Sequence, residues 1–593
     1  MGLLQHSAPK THHASPITHH SSLAVGAVAA VTLLGLVLRL YSLDYGLPYQ
    51  YVPDESTMVG GALSMGSNRS LQPPTFVYPA MLMYLFAGEY AGLLVVGRLT
   101  GMFSSMEQFK EYAFVDPTLF YLLPRISIAL MGAATVPLVY LLARRLYGQW
   151  AGIAASGLLA TSLMHVQLSH QARHWVPVSL LAVLVLWKSL DLLERGSRRD
   201  YWITGALVGL AAATSFNGFL LFALPAVAHL ARQRREGRPL LDISFHPRLV
   251  MAGLLALGLF FAFNPYILLQ FDGFVAFHSA GESSIGGQIR GHYDSYPRQF
   301  LEKQAFTFYG WAALSYDPAI TLLGIAGAVV AARRFGATAL LVNFYPLFHF
   351  VLFATTAPSM EQRYILPAIV LWAVPAGLAA ATAGEWVASR LGGRQVGRGT
   401  VALLAVALLG LASLPALRYD ALLARVDTRT LAKAWIEHDV PAGSEVVVQS
   451  YPPPLTPSLE TLRAQERENP RSLGNRDQWL LDEGLPEGET AYDLVRLNLV
   501  DTSPTVDNVT PYLAAHQYRY FVVSDFRWKS DHQGHMALKD YLARNGRLMG
   551  RISPSNHTGY VPSDLLNNME DPLVELWMVE RTGPVVEIYE VAR

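Results

Sequence analysis

Two adjacent carboxylates, Asp54 and Glu55, are the residues of this chain whose type and position most readily suggest chemistry. They stand in the stretch Tyr51-Val52-Pro53-Asp54-Glu55-Ser56, a few residues after the first long apolar run. Acids so close to a bilayer are costly and are therefore candidates for a functional site. An ordinary helix start is the alternative, because Pro53 suits a first helical turn and acids there interact favourably with the helix dipole.

Three other segments between apolar runs carry cations and hydrogen-bonding groups. They are 169–175 with Arg173 and His174, 286–293 with His292, and 361–364 with Arg363 and Tyr364. Each also has a structural interpretation: an interfacial anchor of Trp, His and Arg for the first, glycine flexibility for the second and a snorkelling arginine for the third.

Together these segments offer carboxylates able to act as a general base or metal ligand, and guanidinium and imidazole groups able to hold a phosphate. This pairing suggests chemistry on a lipid phosphate. One such compound is a sugar carried on a polyprenyl phosphate, which presents its reactive carbon at the membrane surface. An acceptor hydroxyl that attacks this carbon must lose a proton, and the departing phosphate needs positive charge nearby. No nucleotide-binding fingerprint is apparent, so a soluble nucleotide-sugar donor is not indicated.

The composition is that of an integral membrane protein. The 593 residues are 52% hydrophobic and only 15% charged, against roughly 25% charged in soluble proteins. Lysine plus arginine equals aspartate plus glutamate at 45 each, so net charge offers no argument for a nucleic-acid partner. The absence of cysteine excludes disulfides, thiolate metal ligands and a cysteine nucleophile.

Apolar runs long enough to cross a bilayer number eleven, with basic clusters between alternate pairs of them. We expect spans near 23–43, 118–142, 150–168, 176–194, 201–215, 217–231, 249–269, 311–332, 338–357, 364–383 and 400–417. The positive-inside rule places the basic clusters in the cytoplasm and the loop 44–117, which carries Asp54, on the outer face. A further apolar stretch, 76–97, would place every later basic cluster outside the cell if it spanned the bilayer. We therefore expect it to lie along the membrane interface.

Three parts of the chain are expected on this basis. Residues 1–22 form a disordered cytoplasmic tail, and 23–417 form a mainly helical bundle. The tail 418–593 forms an extracytoplasmic α/β domain with strands near 445–449, 520–524 and 585–591 and helices near 428–438 and 536–545. The Pro-rich segment 451–492 is expected to be a loop or an insertion.

Short motifs spread over most of the chain resemble the GT-C superfamily of integral-membrane glycosyltransferases, in the branch related to protein O-mannosyltransferases and the lipid A aminoarabinose transferase. The motifs are Pro53-Asp54-Glu55, Val77-Tyr78-Pro79-Ala80, 123–130, 140–148, 169–177, Asn264-Pro265-Tyr266, 363–367, Asp427-Thr428-Arg429 with Trp435-Ile436, and 583–589. The resemblance implies a polyprenyl- or dolichyl-phosphate-linked donor, inversion at the sugar carbon and an active site under the first outer loop.

The same resemblance assigns roles to the candidate residues. Asp54 would be the general base, with Glu55 supporting it or helping to bind a divalent metal. Arg173, His174, His292, Arg363 and Tyr364 would contact the donor phosphate. Relatives commonly have an acid where this chain has His174, so His174 could instead be a hydrogen-bonding partner or a neutral metal ligand.

The expected partners are a polyprenyl-phosphate-linked sugar, membrane lipid, and an acceptor that is a protein, a lipid or a glycan, at a plasma (inner) membrane crossed many times. A transporter or flippase for a lipid-linked or small anionic substrate is the main alternative, since eleven spans suit that class too. No internal repeat is clear, and polar residues within the spans are few, with Arg125 the notable case. A non-catalytic scaffold would leave the gathering of acids and bases on one face unexplained.

Overall fold

The protein is described from a computed structural model that covers residues 20–237, 246–279, 304–356, 360–390, 394–468, 473–497, 511–513, 516–529 and 532–592. It has a helical part followed by a mixed α/β part, which confirms the predicted fold class of a multi-pass, mainly helical membrane protein with a C-terminal α/β region. The predicted tail 1–22 falls almost entirely outside the described residues.

The helical part begins at the first apolar run. In chain order its helices are α1 (His20–Leu40), α2 (Pro53–Ser67), α3 (Met81–Thr100), α4 (Met106–Val115), α5 (Thr118–Tyr147), α6 (Gln149–Ala160), α7 (Leu163–Ser169), α8 (Trp175–Glu194), α9 (Arg198–Thr214), α10 (Ala223–Arg235), α11 (Pro247–Phe263), α12 (Pro265–Leu269), α13 (Phe271–Ser279), α14 (Gln304–Tyr316), α15 (Pro318–Arg334), α16 (Gly336–Thr356), α17 (Leu366–Arg390) and α18 (Arg394–Leu423). Short 3₁₀ helices at Phe216–Phe222 and Gln362–Ile365 lead into α10 and α17.

Two of the predicted spans are broken. α6 and α7 meet at 56°, and α14 and α15 meet at 109°, so the predicted spans 150–168 and 311–332 each contain a break between two helices. The breaks have local causes: the Ser162 hydroxyl caps α7, and Pro318 starts α15. They are also tied together, since the Asp317 carboxylate accepts hydrogen bonds from the Ser162 hydroxyl at 2.9 Å and the Leu163 amide at 3.0 Å.

The structure sets limits on the number of membrane spans. Among the described residues, six helices are long and apolar enough to cross a membrane, or up to eight if each bent pair is one span. Two shorter apolar helices, Ala24–Leu40 and Pro247–Phe263, add to these. α3 is among the six, so its predicted interfacial position stays a prediction.

The C-terminal part is built on one twisted sheet. Its elements are α19 (Thr428–Asp439), β1 (Glu445–Gln449), β2 (Thr456–Pro457), α20 (Leu459–Glu468), α21 (Asn475–Glu483), β3 (Ala491–Leu497), β4 (Tyr520–Asp525), α22 (Gln533–Asn545), β5 (Gly546–Ile552), α23 (Pro572–Met578) and β6 (Val585–Val591). The strand order is β2-β3-β1-β4-β6-β5, parallel from β2 to β4, with β6 antiparallel to both β4 and β5.

The three strands and two helices predicted for this part are confirmed to within a few residues. The prediction of a loop or insertion over 451–492 is wrong, because this segment contains β2, α20, α21 and the start of β3. Two apolar clusters, one on each face of the sheet, explain the strands: Val446, Val448 and Val522 lie in one, and Val447 and Val523 in the other.

Candidate active site

Asp54 lies in the first turn of α2, where the chain enters that helix through Pro53. Its side chain keeps 31% of its surface exposed, whereas the neighbouring Glu55 has none. The predicted helix start is therefore present, and it does not compete with a functional role. The first turn of the helix presents one carboxylate toward solvent and the other toward the protein interior.

Two arginines from distant segments converge on Asp54. Arg173 follows α7, and its Nη2 donates to Oδ2 of Asp54. Arg363 stands in the 3₁₀ turn before α17, and its Nη2 lies 3.4 Å from the same oxygen. The structure thus brings together three of the residues predicted from the sequence, which are 119 and 190 positions apart along the chain.

Several buried polar atoms near this cluster have no hydrogen-bond partner within the described part of the chain. Nε of Arg363 and Nδ1 of His174 are among them. The imidazole of His174 packs with its centroid 5.0 Å from that of the Tyr78 ring, and burial, reinforced by the nearby Arg173, lowers the pKa of His174 to about 3. His174 is therefore neutral, and two N–H or lone-pair positions beside Asp54 are left for a ligand.

The charge state of Asp54 is set by opposing effects. Burial raises the pKa of its carboxyl, but the charges of Arg173 and Arg363 and the nearby Tyr78 hydroxyl outweigh burial, so the pKa lies below its ordinary value. Asp54 is a carboxylate at neutral pH. Withdrawal of the arginine charges would raise its affinity for a proton.

Glu55 is held in a different environment from Asp54. Arg125 donates to it through Nε at 2.9 Å and Nη2 at 2.7 Å, and the backbone N–H of Ala172 donates to Oε1 at 2.7 Å. Nη1 of Arg125 is taken up by the carbonyls of Leu43 and Tyr45. Arg125, the notable polar residue within the predicted spans, therefore acts as both an ion-pair partner and a cap for two carbonyls. A direct chemical role for Glu55 stays a prediction, and its contacts favour a positioning role.

The geometry also bears on the predicted divalent metal. Both oxygens of Glu55 already accept hydrogen bonds from Arg125, and one of them also accepts from Ala172. Across the residues that the structure describes, no three His, Asp or Glu side chains are grouped so as to hold a metal ion. Glu55 and His174 therefore do not make a fitting ligand set for a divalent metal.

Two predicted phosphate-contacting residues remain, Tyr364 and His292. Tyr364 lies beside the site, with its ring centroid 5.7 Å from the Arg363 guanidinium carbon and 5.3 Å from the Trp175 ring centroid. His292 falls outside the described residues, so its role stays a prediction.

Sequence reasoning did not single out three side chains that the structure adds to the site. Tyr78 lies beside the Asp54 carboxylate, and Glu361 pairs with Nη1 of Arg363 at 2.8 Å. Asn567, from the C-terminal part, accepts hydrogen bonds from both arginines. The motif around Tyr78 was a usable signal for the first and the Glu361-Gln362-Arg363-Tyr364 run for the second. Nothing in the local sequence marks Asn567.

Part of the chain matches a known family. Residues 124–263, about a quarter of the sequence, match the model of the dolichyl-phosphate-mannose-protein mannosyltransferases. This match confirms the predicted resemblance to the GT-C glycosyltransferases, and it spans α6 to α11 with most of α5, including Arg125, Arg173 and His174. No curated protein matches the chain.

Solved structures with a similar arrangement are distant in sequence. ArnT from Cupriavidus metallidurans bound to undecaprenyl phosphate is 15% identical, with 97% of this chain and 98% of that chain covered and a TM-score of 0.45. The oligosaccharyltransferase AglB from Archaeoglobus fulgidus, in complex with an inhibitory peptide and a dolichol-phosphate, is 13% identical, with 96% and 89% covered and a TM-score of 0.47. The Pmt1-Pmt2 protein O-mannosyltransferase of S. cerevisiae bound to its sugar donor is 20% identical, with 45% and 36% covered and a TM-score of 0.30. At these values the likenesses assign no residue roles.

Proposed function

We propose that this protein is an integral-membrane glycosyltransferase that moves a sugar from a polyprenyl-phosphate-linked donor to an acceptor hydroxyl at the extracytoplasmic face of the plasma (inner) membrane. The observation that carries the proposal is the Asp54 carboxylate held between the Arg173 and Arg363 guanidiniums, at the start of α2. The partial match to the mannosyltransferase family supports the reaction class.

The chemistry follows from the charges at this cluster. The acceptor hydroxyl oxygen attacks the anomeric carbon, its proton passes to Asp54, and the carbon–oxygen bond to the phosphate breaks. The bonding electron pair leaves on the phosphate oxygen, where Arg173 and Arg363 stabilise the added charge. One displacement of this kind inverts the configuration of the sugar carbon.

The resting contacts between Asp54 and the arginines fit this sequence of events. An anionic donor phosphate that takes over Nη groups of the arginines neutralises part of the charge that lowers the pKa of Asp54. The carboxylate then becomes a better proton acceptor at the moment the donor is bound. Nε of Arg363 and Nδ1 of His174 are additional groups for the phosphate or the sugar.

The testing experiment compares two isosteric variants in the same loop. Asp54→Asn removes the base and is expected to lower transfer of a radiolabelled sugar from a polyprenyl phosphate carrier by about 10²- to 10⁴-fold. Asp44→Asn, at an exposed position between α1 and α2, is the matched control and is expected to transfer like the parent.

Two outcomes oppose the proposal. Full transfer by Asp54→Asn at normal expression and folding removes Asp54 from the mechanism. Absence of any transfer by the folded parent, with donors carrying several different sugars and with envelope extract as acceptor, removes the reaction class. Mass spectrometry of the cell envelope from a deletion strain identifies the sugar and the acceptor.

A further inference from the structure

A short segment of the C-terminal part, 564–569, is inserted against the end of the helical bundle that carries Arg173 and Arg363. Leu565, Leu566 and Met569 are 2%, 1% and 0% exposed and belong to the same apolar cluster as the bundle helices. The segment is a tight turn, in which the Asp564 carbonyl accepts from the amides of Asn567 and Asn568.

Side chains of the bundle bind the backbone of this segment at each buried position. Nε2 of Gln167 donates to the Leu565 carbonyl at 2.9 Å, and Gln171 donates to the carbonyl of Leu566. Nε2 of Gln362 donates to the Met569 carbonyl at 2.9 Å. The three glutamines stand next to or near the two arginines of the site, so the turn has a fixed position relative to those arginines.

Asn567 is the residue that this turn presents to the two arginines. Its Oδ1 accepts from Nη1 of Arg173 at 2.9 Å and from Nη1 of Arg363 at 3.1 Å. Asp54 Oδ2 bridges the Nη2 groups of the same arginines. The guanidiniums are therefore held from two sides, by a carboxylate of the first outer loop and by a carboxamide of the C-terminal part.

The chemistry of a carboxamide suits this position. Burial lowers the pKa of Arg173, and the charge of the nearby Arg363 lowers it further, because two guanidiniums in proximity repel each other. An amide oxygen accepts from both without adding a negative charge, so the pair stays available to an anion. An aspartate there would hold the arginines as well but would compete electrostatically with a phosphate.

We propose that Asn567 is a positioning residue of the donor-phosphate site: it fixes the Arg173 and Arg363 guanidiniums at the spacing that binds a polyprenyl phosphate, which makes the C-terminal part a structural component of the active site. This inference rests on the proposed function. It assigns to the C-terminal part a role in donor binding.

The test uses the purified full-length protein in nanodiscs, with undecaprenyl phosphate as the probe and four proteins: the parent, Asn567→Ala, Asn567→Asp and Asn568→Ala. Asn568 is the matched control, because it stands in the same turn and its Oδ1 has no hydrogen-bond partner within the described residues. The affinity for undecaprenyl phosphate, the melting temperature and the kinetic constants of transfer are measured for each.

We expect Asn567→Ala to weaken binding about ten-fold, as for the loss of hydrogen bonds to charged groups, and to raise the KM for the donor more than it lowers kcat. Asn567→Asp is expected to weaken binding further, because it adds a negative charge against the phosphate. The melting temperatures of Asn567→Ala and Asn568→Ala should agree, since the backbone contacts of the turn remain in both.

Equal or tighter binding by Asn567→Ala, or an equal loss in Asn568→Ala, overturns the inference. An aspartate variant that binds better than the alanine variant overturns the charge argument on which it rests. These results are separable from a failure of the proposed function. If the parent itself neither binds undecaprenyl phosphate nor transfers a sugar, the reaction class fails, whereas a competent parent matched by Asn567→Ala refutes only the role of Asn567.

Discussion

The buried pair between Glu55 and Arg125 offers a direct test of whether Glu55 acts in positioning or in chemistry. The substitution is Glu55→Gln, which keeps the shape of the side chain and removes its charge. Arg125 would then keep a buried guanidinium, 1% exposed, with the two carbonyls of Leu43 and Tyr45 and an amide as its partners. The amide also presents N–H donors to a group that has only donors itself.

The expected magnitude follows from comparing this pair with a second one of the same length. Arg125 and Glu55 are joined at 2.7 Å with side chains 1% and 0% exposed, and Arg145 and Glu194 are joined at 2.7 Å with side chains 22% and 55% exposed. Removal of one partner of a buried pair costs about 3–5 kcal/mol. A surface pair is worth about 0–1 kcal/mol. Glu194→Gln is thus a control with the same ion-pair distance at an exposed site, where Arg145 also keeps Asp191 as a partner at 2.8 Å.

The assay is the free energy of unfolding of each purified variant in mixed micelles, titrated with a denaturing detergent and followed by tryptophan fluorescence. Glu55→Gln should lose several times more than Glu194→Gln. The double variant Glu55→Gln with Arg125→Met should recover much of that loss, since both charges leave the interior together. Transfer activity should recover only in part, because Oε1 of Glu55 also holds the N–H of Ala172, next to Arg173.

Equal losses for Glu55→Gln and Glu194→Gln would refute this reasoning. Such a result would mean that the buried pair contributes little to stability. A large loss of transfer in a stable Glu55→Gln protein would then support a direct chemical role for Glu55.

Two further predictions concern the C-terminal part and the topology. Burial raises the pKa of Asp564 to about 6, against 3.8 for an ordinary aspartate. Folding therefore favours the protonated form of this side chain. The cost of ionising it in the folded protein is fully present above pH 6 and disappears as the pH falls toward 4. Asp564→Asn should therefore raise the free energy of unfolding at pH 7.5, by a difference on the order of 3 kcal/mol, and match the parent near pH 4; an equal effect at both pH values would contradict this. The chain has no native cysteine, so a cysteine replacing the exposed Asp482 of α21 should react with an impermeant thiol reagent added outside intact cells, and one replacing the exposed Arg334 at the end of α15 should react only after permeabilisation. The opposite labelling pattern would invert the proposed orientation.

The site is assembled from segments that are remote in the sequence. α2 contributes Asp54, the turn after α7 contributes Arg173 and His174, the 3₁₀ turn before α17 contributes Arg363, and the C-terminal part contributes Asn567. The broken helices explain part of this convergence. The bend between α6 and α7 lets α7 end where Gln167 and Gln171 reach the 564–569 turn, and Asp317 links that bend to the one between α14 and α15.

Hydropathy and charge in the sequence alone determined the class of protein and its approximate division into a helical and an α/β part. Both are local or nearly local properties, since a span needs about twenty apolar residues in a row and a half-buried strand needs a short run of β-branched residues. The gathering of Asp54, Arg173 and Arg363 could also be anticipated, because the loops that carry them were expected on one face. The contacts of Asp54 with Arg173 and with Arg363 are seen only in the tertiary structure.

Tertiary structure alone decided which of the two adjacent acids faces solvent, how two spans are broken, and that the C-terminal part enters the site. Neighbouring residues on a helix point about 100° apart, so Asp54 and Glu55 must differ in surroundings. Only the position of Arg125, 70 residues further on, shows that Glu55 is the buried one. At the 109° bend, Asp317 accepts a hydrogen bond from the Leu163 amide, 154 residues away, and this link between two helices is not visible in the local sequence. Asn567 lies 394 residues from Arg173, and an isolated asparagine in a turn carries no sign of such a distant partner, because its local environment is satisfied by the turn itself.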